Sequence, residues 1–308
     1  MRENIGEKLN AKKRNDETRI FRHSIAEYKL DEGIVQSENP ERPPKANDQQ
    51  FDSDLTPEGK EFARKKAEEF FDAKNPETGE LLMNPEADAL YFVSSDLVRA
   101  AETAKIFLDI ARERGFEIIP SREKYRFSPR NKAEEIGEGY IRKINCLTLN
   151  HLGNMLREKI FMPNDYLAEV VKDQQIVSEE TRAKWKEARA IIESDNKDTW
   201  GKNYHAHSEK IAKIFPNVKS AEEVYKSKFF KIINLIKFAQ NKIKEKNPEK
   251  NIKILGFSHE NSFIHFLNEN FGESMENCEN IGFKVADGEN EVPKILITAK
   301  GKTIEFKE

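Results

Sequence analysis

The sequence predicts a three-layer α/β protein, with a mostly parallel sheet, helices on both faces and a helical insertion at about 140–220. Three observations predict it. Strand-length apolar stretches alternate with segments of helical periodicity from residue 17 to residue 121. The strand-then-helix pairing returns at 251–272, after a long polar middle. The chain also has 308 residues and 20 Phe, enough length and aromatic content for a buried core despite a mean hydropathy of -0.79.

Each element has its own signal. A charged, aperiodic leader at 1–16 precedes a single domain at 17–308. ETRIFRHS at 17–24 reads as a first strand, and the proline-bearing polar segment after it, through Ser53, reads as a loop. LTPEGKEFARKKAEEFF at 55–71 is a helix. Thr56 is its N-cap, Pro57 fills the first helical position, and Phe62, Ala63, Ala67, Phe70 and Phe71 recur at helical spacing. DALYFVSSD at 88–96 is a buried strand, and LVRAAETAKIFLDIARERG at 97–115 a helix stopped by Gly115. FEIIPS at 116–121 is a third strand. The middle holds helical patterns, SEETRAKWKEARAIIES and HSEKIAKIF, and no strong strand, hence the insertion. Ser220 and Glu223 form a capping box. It opens a helix that carries Phe229, Ile232, Ile233 and Ile236 along one face and ends at Asn247-Pro248. NIKILGFSH at 251–259 is a buried strand and ENSFIHFLNENFG at 260–272 its helix. IGFKV and KILITAKGKTIEFK close the sheet at its edge.

Composition excludes several classes. The balance of 52 basic and 55 acidic residues, a net charge of -3, gives no pull toward nucleic acid or an anionic membrane. No apolar run approaches the roughly 18 residues of a membrane span. The amino-terminal segment lacks the apolar stretch of a secretory signal. Cys146 and Cys278 are too few for a disulfide framework or a four-cysteine zinc site. The expectation is a soluble, cytoplasmic protein with no nucleic-acid and no membrane partner.

In open α/β sheets, ligands bind beyond the carboxyl ends of the strands. Three such ends carry reactive groups here: Arg22-His23-Ser24, then Ser94-Ser95-Asp96 with Arg99 on the following helical turn, then Ser258-His259-Glu260. Two Arg and two His thus converge on one rim. That makeup suits a phosphoryl group, because guanidinium forks match its oxygens and a neutral imidazole can attack phosphorus. An Arg at a helix start also runs against the helix dipole, which favours an anion site over a solvated side chain.

These residues resemble the motifs of the histidine phosphatase superfamily, which includes the cofactor-dependent phosphoglycerate mutases. Phe21-Arg22-His23-Ser24 resembles its Arg-His-Gly signature, and Leu55-Thr56-Pro57-Glu58-Gly59 its Leu-Thr-x-x-Gly helix start. Ser94 through Ala104 resembles its Ser-Ser-x-x-x-Arg-Ala-x-x-Thr-Ala segment, and Ser258-His259 its second histidine motif. The resemblance implies a phosphoglycerate mutase-like fold and a metal-independent, cofactor-free phosphatase that hydrolyses a phosphate monoester through a phosphohistidine. His23 would be the nucleophile, with Arg22, Arg99 and His259 on the phosphoryl oxygens. The substrate would be a small phosphorylated molecule or a phosphopeptide.

For the proton donor the resemblance offers two places. One branch uses a Glu in a Glu-x-x-x-Gly context, which Glu135 matches, with Glu134 and Glu138 beside it. The other uses the acid directly after the second histidine, here Glu260. Glu135 is favoured, because the 94–104 segment and the spacing after it resemble the first branch, and because Glu260 lies beside a cationic pocket expected to lower its pKa. Ser24 stands where the family has Gly, a change expected to matter little. The Ser-x-x-Trp-Asn continuation of the mutases is absent, the chain reading Ile25-Ala26-Glu27-Tyr28-Lys29, which argues against the mutase reaction. The alternatives are a mutase-type transfer and a silent phospho-ligand-binding protein. His205 and His207 lack further ligands at zinc spacing and read as a polar loop opening a helix. His151 and His265 read as structural, the lysine-rich stretch 226–253 as a solvated helix face, and Arg126 and Arg130 equally as surface or substrate contacts.

Overall fold

The computed structural model describes residues 15–26, 55–95, 98–121, 139–143, 183–184, 187–188, 190–191, 200–214, 221–225, 229–247, 249–260, 263–286 and 294–306. The strands are β1 (Glu17–Arg22), β2 (Asp88–Ser94), β3 (Glu117–Ile118), β4 (Ile141–Lys143), β5 (Asn251–Ser258), β6 (Asn280–Ala286), β7 (Lys294–Ala299) and β8 (Lys302–Phe306). The helices are α1 (Pro57–Phe71), α2 (Val98–Glu113), α3 (Trp200–Ile214), α4 (Ala221–Val224), α5 (Phe230–Lys246) and α6 (Ile264–Phe271). They build one mixed sheet in the order β3-β2-β5-β1-β6-β7-β8, with β4 also on β2. Strands β1 to β5 run parallel, and β6, β7 and β8 extend the sheet antiparallel from β1.

Period-two side chains explain the layers. Along β2, Ala89, Tyr91 and Val93 enter one core, while Leu90 and Phe92 enter the other. Strand β5 divides in the same way, with Ile252 and Ile254 against Leu255 and Phe257. Continuous burial on both faces is what a parallel sheet requires. Ala63, Ala67 and Phe71 of α1, with Ala100, Ala104, Phe107 and Ala111 of α2, cover one face. Ile232 and Ile233 of α5, with Phe266 and Leu267 of α6, cover the other. Small residues on α1 and α2 let those helices lie close, and Phe21 stacks on Phe257 at 5.2 Å beneath them. Each such ring, fully buried, contributes about 1.5–3 kcal/mol.

Register places the site. Arg22 pairs with Ser258 across β1 and β5, and Ser94 with Phe257 across β2 and β5, so the three reactive strand ends finish level. The late strand β5 is inserted between β1 and β2, at the kind of break in strand order where ligands sit.

Helix α1 starts as its sequence requires. Thr56 Oγ1 accepts from the Gly59 amide at 2.9 Å, and the Thr56 amide donates to the Ile25 carbonyl at 3.1 Å. A Cβ on Gly59 would stand 2.0 Å from that carbonyl oxygen, so only glycine fits. Gly115, at φ +78°, lies just past the end of α2 as expected.

Several expectations change. The third strand shortens from 116–121 to Glu117–Ile118; Ile119 still donates to Leu90, but Pro120 has no N–H to extend the ladder. Strand β4 lies in the stretch read as strandless, because three residues beside the edge of β2 carry no periodicity of their own. His205 and His207 lie inside α3 rather than in a loop before it. The helix expected from Ser220 onward is described as α4 and α5, with Ser220 outside the described residues. Asn15 and Asp16 are bonded to the sheet: Asp16 accepts from the Ile252 amide at 2.7 Å, and the Asn15 carbonyl from Lys253 Nζ at 2.6 Å. Among the described residues no helix is long and apolar enough to cross a membrane.

Candidate active site

Just past the end of β1 lie His23 and Ser24, and both are buried. His23 Nδ1 lies 2.6 Å from the Ser24 carbonyl oxygen. A carbonyl only accepts, so Nδ1 carries the proton and Nε2 carries the lone pair. Arg99 Nε donates to that Nε2 at 3.2 Å. Burial, then Arg99, then Arg22 hold the His23 pKa well below its ordinary value, and the bond to Ser24 opposes them only in part. The imidazole is therefore neutral at neutral pH, with a nucleophilic nitrogen of defined direction.

The other strand ends meet it. The His259 ring centre is 5.0 Å from that of His23, and Ser95 Oγ is 2.9 Å from His259 Nε2. Arg99, His23 and His259 are all buried and lie together beyond the ends of β1, β2 and β5, with the Arg99 guanidinium as the charged group among them. Arg22 reaches round the edge: its Nη1 donates to the Met275 carbonyl and lies 3.1 Å from Glu260 Oε2. Of the rim expected from the sequence, the structure brings His23, Arg99 and His259 together, while the Arg22 guanidinium is turned toward Glu260 and the Met275 carbonyl.

Glu260 behaves otherwise than its surroundings suggested. Burial pushes its pKa above the ordinary carboxylate value, and Arg22, the Met275 amide and Ser274 oppose this without cancelling it. Removing an anion from water costs more here than one partly exposed guanidinium returns. Glu135, with Glu134 and Glu138, lies outside the described residues, as do Arg126, Arg130, His151, Cys146 and Asp96. His265 sits on α6 with its ring 5.0 Å from that of Tyr225. Among the described residues no group of three or more His, Cys, Asp or Glu could hold a metal ion.

Sequence reasoning missed the scaffold beneath the nucleophile. Thr103 Oγ1 accepts from the Ser24 amide at 3.0 Å and donates to the Arg99 carbonyl at 2.7 Å. Ser24 Oγ donates to the Gly59 carbonyl at 2.7 Å. The four-residue step from Arg99 to Thr103 along one helix was the available signal.

The chain is an α/β protein built on one mixed sheet, and its motifs resemble those of the histidine phosphatase superfamily. No family model and no curated protein matches it. Among solved structures it is similar to a phosphoglycerate mutase from Bacillus anthracis str. Sterne, at 14% identity and a TM-score of 0.31, over 95% of this chain and 92% of that one. It is also similar to a multiple inositol polyphosphate phosphatase from Bifidobacterium longum, at 10% identity and a TM-score of 0.44, over 94% and 87%. A third is a phytase from Klebsiella sp. ASR1, at 13% identity and a TM-score of 0.38, over 92% and 81%.

Proposed function

We propose that the protein is a metal-independent phosphatase that hydrolyses a phosphate monoester through a phosphohistidine on His23. One observation carries the reading: a buried, neutral imidazole whose Nδ1–H is held by Ser24 and whose Nε2 faces Arg99. A phosphoryl oxygen is an anionic acceptor and outcompetes neutral Nε2 for the Arg99 N–H, so substrate binding releases the lone pair. Nε2 then forms a bond to phosphorus as the bond to the leaving oxygen breaks, and a carboxylic acid protonates that oxygen. Water next attacks phosphorus, its proton passes to the carboxylate, and the N–P bond breaks to return His23. Arg22, Arg99 and His259 stabilise charge on the equatorial oxygens. Glu135 and Glu260 are the candidate acids, and burial of Glu260 supports it in the role. A small phosphorylated molecule or a phosphopeptide is the substrate, and the protein works in the cytoplasm.

The test is turnover of a chromogenic aryl phosphate, with His23→Ala as the blank. Mixing with labelled substrate and quenching in base traps phosphohistidine as an acid-labile adduct. Turnover and adduct that both vanish in His23→Ala support the reading. Saturable substrate binding without turnover identifies a silent phospho-ligand-binding protein instead.

A further inference from the structure

Ser24 is the one signature position at which this chain departs from the resembled Arg-His-Gly pattern, and its side chain is not idle. The residue is fully buried, and its three polar groups reach two helices and the neighbouring His23 ring. Its amide donates to Thr103 on α2, its hydroxyl donates to the Gly59 carbonyl in the first turn of α1, and its own carbonyl takes the His23 Nδ1 proton. Burial pushes the Cys278 thiol, just before β6, up to about 11, so it stays protonated.

We propose that Ser24 and Thr103 are positioning residues for His23. Their two hydroxyls fix the Ser24 peptide, and that peptide selects which His23 nitrogen is the nucleophile and where it points. The inference rests on the proposed phosphatase reading. An imidazole is set by the bond its second nitrogen makes, and that bond is only as firm as the carbonyl offering it. A Ser24 carbonyl anchored by one side of the turn alone could rotate, and either ring nitrogen could then carry the proton. Thr103 adds a second constraint. The same oxygen that holds the Ser24 amide holds the Arg99 carbonyl, so nucleophile and phosphate-binding Arg are registered through one atom. Thr103 is fully buried, which leaves water no route to substitute for it.

The test uses Ser24→Ala, Thr103→Val and Thr103→Ser in the full chain. It reads kcat and KM on an aryl phosphate beside the ¹⁵N signals of the His23 imidazole. Loss of orientation at a reacting nitrogen costs up to about 10²-fold. Ser24→Ala and Thr103→Val should each lower kcat by about 10–100-fold with KM changed far less. Their His23 nitrogens should show mixed tautomers. Thr103→Ser, which restores the oxygen, should return both the rate and the single Nδ1–H tautomer. Wild-type rate in Ser24→Ala and Thr103→Val overturns the proposal, as does a lost rate with an unchanged tautomer. Should Thr103→Val not fold, Ser24→Ala removes a single oxygen and carries the test alone. A wild-type protein that turns over no aryl phosphate refutes the phosphatase reading, while the nitrogen signals still decide the positioning of His23.

Discussion

Replacing Gly59 by Ala perturbs the site through a single methyl group. The added Cβ would stand 2.0 Å from the Ile25 carbonyl oxygen and 3.2 Å from Thr56 Oγ1. Real Cβ contacts begin near 3.0 Å, so the carbonyl must retreat by about 1 Å. That carbonyl accepts the Thr56 amide at 3.1 Å, and a retreat of this size breaks the bond. Overpacking costs about 1–3 kcal/mol and the lost hydrogen bond about 1 kcal/mol, so Gly59→Ala should lose about 2–4 kcal/mol. Ile25 lies two residues beyond His23, so the displacement reaches the nucleophile, where a shift of this size costs up to about 10²-fold in rate. Urea unfolding gives the first number and aryl phosphate turnover the second. Gly79→Ala is the control. It sits at φ +72° with nothing near its added methyl, so it should lose about 1–2 kcal/mol to backbone strain and keep its rate. If Gly59→Ala matches wild type in both measurements, the close approach of α1 to the His23 turn is not what sets the site.

Two further outcomes are expected. An NMR titration of His23 should place its midpoint below about 6.5, its ordinary value, because its pKa is lowered by burial and two Arg. The native state then binds fewer protons than the unfolded chain. Stability from this group is complete above that value and falls as pH drops toward the native midpoint, less so in His23→Asn. General acid catalysis contributes about 10²–10⁴-fold, so the true donor, replaced by Gln, should lose that factor on esters with poor leaving groups and far less on good ones. If Glu260 is the donor, the wild-type rate on poor leaving groups should also fall as pH rises through its raised pKa; Glu135→Gln showing the selective loss instead assigns the role to Glu135.

The rim was legible because it depends on strand ends. Apolar runs located β1, β2 and β5, and the residues that stop them, Arg22-His23, Ser94-Ser95 and Ser258-His259, had to share an edge once the sheet was parallel. The caps of α1 were legible for the same local reason. What could not be read depends on distance in space. The sign of the Glu260 shift follows from how much water burial removes, which neighbouring charges in sequence do not reveal. The Ser24–Thr103–Gly59 bonds join three elements, and no two of these residues are within thirty positions of each other. Strand β4 exists because β2 offers it an edge.

Strand β1 has both of its neighbours at the far end of the chain. Thr18 lies opposite Ile254 on one side and Phe283 on the other. Asp16 and Ile252, which bond at the start of this pairing, are 236 residues apart. At about 5–20 residues per second, a ribosome leaves this apolar strand unpaired for roughly ten seconds to most of a minute after it is made. Until then neither edge has a partner, and such exposed edges recruit other chains. Pairings this remote also make for slow folding. A nascent fragment that stops short of β5 therefore has Gly59 and Thr103 in hand but neither strand that flanks β1, and the edge that carries His23 stays open until β5 and β6 have been made.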